Sequence, residues 1–239
     1  MTATLTSLWS HLGPTTRAWM AFHIVAVIAI GLWLDIHLGW TGQHIATVWA
    51  LAVWGWLYWL GRSTERQVLL LATLLSGIGE LFLSLVWGLY DYQFHNVPLF
   101  VPPGHALLMT LGILSAAALV RHSTAVVATV TTLAAAWAVH VWFADSDRFG
   151  VVLFGLYAAC LWFGLARTLY ACMFVLALIM ELYGTALGNW VWALSAPWFQ
   201  LSSANPPFSA GAFYCVLDLL VLAILHSRDR SRDLAAFSS

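Results

Sequence analysis

The sequence predicts an all-α polytopic membrane protein, a bundle of eight transmembrane helices, from three observations. Hydrophobic residues make up 62% of the 239-residue chain and charged residues only 8%, whereas a soluble domain has about 25% charged residues. The apolar residues form stretches close to the roughly 20 residues that a helix needs to cross a bilayer. The arginines, finally, fall almost entirely on one side of the predicted bundle.

The eight predicted spans follow one another with mostly short connections. They cover residues 18–38, 45–60, 68–90, 104–120, 124–143, 149–166, 169–194 and 209–225. The second span is short, so it is either partly inserted or interfacial. We expect a single transmembrane domain over residues 1–239 that ends in a polar cytoplasmic tail, residues 227–239.

The arginine positions predict the topology. With eight spans both termini share one side, which collects Arg17, Arg62, Arg66, Arg121, Arg167, Arg228, Arg230 and Arg232. The opposite side receives only Arg148, close to two aspartates. Because positive charge accumulates on the cytoplasmic side, we expect both termini in the cytoplasm and the protein in the inner (cytoplasmic) membrane.

An internal repeat is indicated when Glu80 is aligned with Glu181, an offset of 101 residues (181 − 80). Further matches are Leu81 with Leu182, Phe82 with Tyr183, Ser84 with Thr185, Pro102-Pro103 with Pro206-Pro207 after a three-residue slip, and His105 with Ser209. The halves, residues 18–120 and 124–226, would be parallel repeats of four helices each, related by an axis along the membrane normal.

Three carboxylates, Glu80, Glu181 and Asp218, are predicted to lie deep in the bundle. Each costs about 2.5–3.5 kcal/mol on insertion scales. One interpretation is that each acid only holds helices together through hydrogen bonds. Three acids with almost no cation in the membrane favour a shared polar cavity instead, with Glu80 about 15 Å from the outer end of its helix at 1.5 Å per residue.

Polar and aromatic residues near the acids complete the predicted site. The candidate substrate-binding residues are Ser84, Trp87, Tyr90, Asp91, His95, His105, Thr185, Asn189, Trp190 and Asn205. A desolvated Glu80 would act as the general acid, with Glu181 and Asp218 as base or cation stabiliser. Trp87, Trp190 and Trp192 would shield a carbocation with their π faces.

One stretch resembles a known family. Gly88-Leu-Tyr90-Asp-Tyr92, followed by Val97-Pro98-Leu99 and Val101-Pro102, resembles the G-x-Y-x-Y…P-L-x-x-P stretch of integral-membrane carotenoid hydratases of the bacterioruberin pathway. In that family an intramembrane Glu also precedes the stretch. The resemblance covers about thirty residues and implies hydration of an isoprenoid. A looser likeness is to small membrane terpene cyclases, which also use acids within a helical bundle.

The leading hypothesis is therefore a membrane enzyme, a hydratase or cyclase, that acts on an isoprenoid, polyene or other lipid. A proton-coupled small-molecule transporter or channel with parallel repeats is the alternative, and a non-catalytic accessory subunit is the third. The expected partners are the bilayer and the lipid substrate; an oligomer or a membrane-complex partner is left open.

Neither a metal nor a cofactor is predicted. The chain has no HExxH, HxxxH or HxxHH pattern, and its nine histidines are divided between the two membrane faces, as interfacial polar residues are. Because lysine is absent and the net charge is −1, no basic patch predicts a nucleic-acid partner.

Overall fold

The computed structural model describes residues 7–237, with side chains described for residues 7–228. Its helices are α1 (Pro14–Leu60), α2 (Ser63–Glu80), α3 (Val101–Ala118), α4 (Ser123–Ala144), α5 (Arg148–Phe163), α6 (Arg167–Leu187) and α7 (Gly211–Phe237). Six of the helical segments are long and apolar enough to cross a membrane, and α5 is a shorter apolar helix. The prediction of a helical protein with helices long and apolar enough to cross a membrane is confirmed. Helix α7 continues into the predicted polar tail, where the side chains beyond residue 228 lie outside the described residues.

Helix α1 consists of two arms that fold back on each other at Gly39. Gly39 has φ 57° and ψ −135°, a backbone conformation that glycine adopts without steric cost. A Cβ atom on Gly42 would lie 1.9 Å from the carbonyl oxygen of Leu34, so the two arms are in backbone contact there. Further along, the rings of His23 and Trp56 are 5.6 Å apart. The two arms correspond to the first two predicted spans.

Helices α2, α3, α6 and α7 form the centre of the bundle, with α2 against α3 and α7, and α6 against α3 and α7. Glycine allows two of these approaches: a Cβ on Gly112 would lie 2.3 Å from Met173 Sδ, and one on Gly211 would lie 2.6 Å from the carbonyl oxygen of Phe174. Small residues at helix interfaces are typical of membrane proteins. The α1 hairpin packs on α3, while α4 and α5 pack on α6 and α7.

Two predicted spans, 68–90 and 169–194, are too long, because both helices end before their last predicted residues. Helix α2 continues as a π-helix, Leu81–Val86, and α6 ends at Leu187. Gly88 with φ 72° and Gly188 with φ 90° follow. Both glycines adopt the left-handed conformation that commonly terminates helices.

The residues beyond these glycines form strands instead of helix. Strand β1 (Tyr90–Tyr92) pairs antiparallel with β2 (Trp190–Trp192), with Asp91 opposite Val191. In each strand the outer two side chains are buried and the central one is exposed, the period of two that a half-buried strand requires. A second short pair, β3 (Ser195–Ala196) with β4 (Leu201–Ser202), follows in the same loop.

Asp147 connects this loop to the start of α5. Its carboxylate accepts hydrogen bonds from the backbone N–H groups of Gly150 at 3.0 Å, Ala204 at 3.1 Å and Phe208 at 2.8 Å. Burial raises the pKa of Asp147, whereas these three bonds act to lower that pKa. One side chain therefore caps a helix and fixes the loop that leads to α7.

Replacing Asp147 by alanine is expected to lower the thermal stability of the protein. The change removes an N-cap worth about 0.5–2 kcal/mol and leaves two loop N–H groups without their acceptor. The midpoint of thermal unfolding in detergent would measure the loss. Asp145→Asn is the control, because asparagine tolerates the left-handed backbone of Asp145 (φ 51°), and the exposed ion pair of Asp145 with Arg148 contributes little. Equal midpoints for the two variants would contradict the assigned role of Asp147.

Candidate functional site

Glu80 lies at the end of α2 in a cluster of polar side chains. The hydroxyl groups of Tyr90 and Tyr92 donate to its Oε2 atom at 2.8 and 2.7 Å. On the other side, His105 Nε2 lies 3.3 Å from Glu80 Oε1. Helix α2, strand β1 and helix α3 each contribute to this cluster, so a tight site forms from residues 80 to 105.

The depth of Glu80 differs from the predicted 15 Å. Its helical run ends with the π-helix at Val86, six residues later, which is about 9 Å at 1.5 Å per residue. The site therefore lies towards the end of the bundle that carries the β1–β2 pair. His105, predicted to shape the access route, contacts the carboxylate directly.

A contact with the backbone orients the His105 ring. Its Nδ1 atom lies 3.0 Å from the carbonyl oxygen of Val101, and because a carbonyl only accepts, Nδ1 is the nitrogen that donates in this contact. The remaining nitrogen, Nε2, then faces Glu80 Oε1.

Glu181 has a different set of partners. The indole N–H groups of Trp190 and Trp192 donate to its Oε2 atom at 2.8 and 3.1 Å, and the Tyr214 hydroxyl donates to Oε1 at 3.0 Å. An indole nitrogen can only donate, so this arrangement is suited to the ionised carboxylate. Gly184 makes room for it, since a Cβ there would lie 2.1 Å from the Trp190 ring.

Ring contacts join the two carboxylate clusters into one site. The His105 ring stacks on the Tyr214 ring with a centroid distance of 4.7 Å and an interplanar angle of 3°. Across the strand pair, the ring centroids of Tyr90 and Trp192 are also 4.7 Å apart. A partner of Glu80 therefore contacts a partner of Glu181 in two places.

Two cavities adjoin this site. We call the first the α1-side cavity; it has a volume of about 60 Å³ and is closed on one side by small and aliphatic residues of α1, among them Gly31, Ala46 and Ala50. We call the second the lateral cleft; it has a volume of about 320 Å³. The side chains common to both linings are those of Glu80, Tyr90, His105, Glu181, Trp192 and Tyr214.

The lateral cleft lies between α2 and α7 and is strongly apolar. Its walls include Leu75 and Ile78 from α2 and Phe213, Leu217 and Leu220 from α7. Ile78 is 57% and Leu220 45% exposed, which places apolar side chains at its outer rim. In a bilayer such a rim faces lipid tails.

Asp218, the third predicted acid, lies apart from the other two. It is completely buried on α7, neither of its oxygen atoms has a hydrogen-bond partner, and it is absent from the linings of both cavities. The structure therefore brings Glu80 and Glu181 together without Asp218.

The predicted substrate-binding residues also divide into two groups. Tyr90, His105 and Trp190 line the α1-side cavity. Among the described residues, the others lie outside both linings: Ser84, Trp87, Asp91, His95, Thr185, Asn189 and Asn205.

Several of the residues outside the two linings contact other parts of the protein. Trp87 stacks on Trp198 at 4.8 Å, Thr185 donates to the backbone of Glu181 at 2.7 Å, and Asn205 accepts from the backbone N–H of Trp192 at 2.9 Å. The Ser84 hydroxyl is buried without a partner. Asp91 and His95 pair with each other on the exposed face of β1.

Asn189 is hydrogen-bonded to Asp35, a buried residue that was not among the predicted site residues. Asn189 donates to Asp35 Oδ2 at 2.8 Å, Gln43 donates to Oδ1 at 3.3 Å, and Gln93 donates to the Asp35 carbonyl oxygen at 2.9 Å. Asn189 directly precedes β2 and Gln93 directly follows β1. Asp35 thus holds the strand pair to the α1 hairpin.

Two of the side chains that donate hydrogen bonds to the acids, Tyr92 and Tyr214, were not among the predicted site residues. For Tyr92 the available signal was the Tyr-Asp-Tyr alternation after Gly88, because alternation is typical of a half-buried strand. Tyr214 lies in α7, outside both alternations.

Within residues 7–228, no group of three or more His, Cys, Asp or Glu side chains is arranged to hold a metal ion. No protein-family model, curated protein or solved structure matches the chain.

Proposed function

We propose that the protein is an integral-membrane enzyme that protonates a carbon–carbon double bond of an isoprenoid, polyene or other lipid. The observation that carries this proposal is that Glu80 and Glu181 line the same pair of adjoining cavities, one of which is an apolar cleft between α2 and α7. A lipid chain fits such a cleft because the apolar walls replace the contacts that the chain makes with neighbouring lipid tails.

The two carboxylates have different roles in this proposal. The Glu80–His105 pair supplies a proton to one alkene carbon, and the π electrons form the new C–H bond. The adjacent carbon becomes cationic, and the carboxylate of Glu181 stabilises that charge. The aromatic rings of Tyr90 and Trp192, which line both cavities, surround it with π density.

The cation then has two outcomes. In hydration, water attacks the cationic carbon and releases a proton that restores the Glu80–His105 pair. In cyclisation, a second double bond attacks, and a carbon next to the new cation loses a proton that restores the Glu80–His105 pair. The partial resemblance of Gly88, Tyr90 and Tyr92 to carotenoid hydratases favours hydration, with a hydratase or lyase as the enzyme class.

We also propose that the chain is an internal duplication with eight spans, counting the α1 arms and α5 separately. Glu80 precedes Gly88 by eight residues and Glu181 precedes Gly188 by seven. The extra residue lies in the π-helix, Leu81–Val86, and a π-bulge is the form in which a helix accommodates one inserted residue. The antiparallel pairing of β1 with β2 is consistent with a two-fold axis between the halves. Both termini would then be cytoplasmic.

Deuterium incorporation tests the proposed chemistry even though the substrate is unidentified. Membranes that contain the protein would be incubated with isoprenoid and polyene lipids in heavy water, extracted and compared by mass spectrometry with membranes that lack it. Hydration, cyclisation and alkene isomerisation all transfer a solvent-derived proton to carbon, so the product should gain a deuterium that does not wash out. No carbon-bound deuterium in any lipid class would count against the proposal. Proton flux into liposomes without such incorporation would favour a proton-coupled transporter instead.

A further inference from the structure

The cavities beside Glu80 and Glu181 hold these two carboxylates and one basic side chain, His105. His105 lies against Glu80, whereas the partners of Glu181 are two indole N–H groups and the Tyr214 hydroxyl, an arrangement suited to a carboxylate. These hydrogen bonds stabilise a negative charge on Glu181 without supplying a cation that compensates it.

No cationic side chain compensates this charge among the described residues that line the two cavities. Neither lining includes an arginine, and the chain contains no lysine. The only basic group there, His105, lies against Glu80. A buried, uncompensated anion is costly in an apolar environment, so a cation that enters the site gains more there than it would in water.

The access route limits which cations can enter. The lateral cleft is walled by aliphatic and aromatic side chains of α2 and α7, which exclude small hydrated ions but accept an apolar chain. The carboxylates lie at its inner end, and the rings of Tyr90, Trp192 and Tyr214 stand beside them. Aromatic surroundings are favourable for ammonium groups.

We propose that this site binds single-chain amphiphiles that carry one ammonium group, with the ammonium beside Glu181 and the chain in the lateral cleft. The inference deepens the proposed function and shares its site, since an ammonium group has the charge of the proposed cationic intermediate. It concerns binding alone, and it also holds for a protein that carries or senses such amphiphiles.

The test compares three probes of equal chain length: dodecyltrimethylammonium, dodecanol and dodecanoate. Binding to the full-length protein in neutral maltoside micelles would be measured by titration calorimetry and by the shift in the thermal unfolding midpoint. We expect the ammonium probe to bind at least about tenfold more tightly than the alcohol, and the carboxylate to bind most weakly. Equal binding of ammonium and alcohol would overturn the inference.

Glu181→Gln tests whether the negative charge of Glu181 causes the preference for the ammonium probe. The glutamine carbonyl can still accept from both indoles and its NH2 group can still donate to Tyr214, so the local structure should persist while the preference for ammonium disappears. Asp91→Asn is the matched acid-to-amide control: Asp91 lies on the exposed face of β1, so the preference should remain. An unchanged preference in Glu181→Gln would show that the charge lies elsewhere.

Gly79→Leu provides a second variant that does not disturb the carboxylates. Gly79 lines the lateral cleft and a Cβ there would have nothing within 4 Å, so a leucine side chain can start into open space. It should occupy part of the cleft and weaken ammonium binding at least about tenfold. Ammonium binding without deuterium incorporation would retain this inference and remove the proposed enzyme. Deuterium incorporation without an ammonium preference would support the proposed enzyme and overturn the inference about ammonium binding.

Discussion

Glu80→Gln is expected to lower the rate of deuterium incorporation into lipid at least about 100-fold, the lower limit for loss of a general acid. Glutamine has the shape of glutamate, and its carbonyl oxygen can still accept from Tyr90 and Tyr92. It cannot, however, transfer a proton to carbon or share one with His105. The fold should therefore persist while the chemistry is lost. Rates would be measured from the growth of the deuterated lipid peak, at equal protein and lipid concentrations.

Two further variants would be compared with Glu80→Gln, one as a control and one that removes the partner of Glu80. Asp91→Asn should retain the wild-type rate, because Asp91 pairs with His95 on the exposed face of β1. His105→Gln should also reduce the rate, because it removes the basic group that lies against Glu80. If Glu80→Gln retained the wild-type rate, Glu80 would not be the proton donor and the role assigned to it would be wrong.

Gly42→Ala is expected to prevent the α1 hairpin from closing. The added Cβ would lie 1.9 Å from the Leu34 carbonyl oxygen and 2.5 Å from its carbonyl carbon. Both are backbone atoms, so no side-chain rotation relieves the clash, and the cost should exceed the roughly 1–3 kcal/mol of ordinary overpacking. We expect a lower thermal unfolding midpoint and little monodisperse protein after detergent extraction. Because the hairpin carries Asp35, the strand pair should also lose its anchor.

Gly55→Ala is the control within the same helix. A Cβ on Gly55 would meet nothing within 4 Å, and alanine in a helix interior is favoured over glycine by about 0.5–1 kcal/mol. Gly55→Ala should therefore equal or exceed the wild-type stability. If Gly42→Ala behaved in the same way, the two arms of α1 would not be in backbone contact.

The extent of each helix was less predictable than its presence. Long apolar runs indicated helices α2 and α6, and the structure has both. The predictions extended them through Tyr90 and Leu194 because Trp, Tyr, Val and Leu are as apolar in a strand as in a helix. Gly88 and Gly188 end the helices through their left-handed backbone conformation, a property that hydropathy does not measure.

The candidate site was only partly predictable for a related reason. Glu80 and Glu181 stand out as acids in apolar runs, so they could be singled out by residue type alone. The donors to Glu181 come from β2 and from α7, at residues 190, 192 and 214. The positions of these donors depend on the left-handed glycine before β2, on the pairing of β1 with β2 and on the loop held by Asp147. The strand pairing and the bonds of Asp147 join segments that are far apart in the chain.

The sequence by itself determined that this is a helical, strongly apolar protein with isolated acids in its helices, because composition and hydrophobic length decide partition into a bilayer. Only the tertiary structure decided which acids meet. It places Glu80 and Glu181 at shared cavities and leaves Asp218 outside both linings, although all three are acids in apolar helices. The physical reason is that a polar contact needs donors within about 3 Å, and the π-helix, the paired strands and the stacking of His105 on Tyr214 provide that proximity for only two of the three.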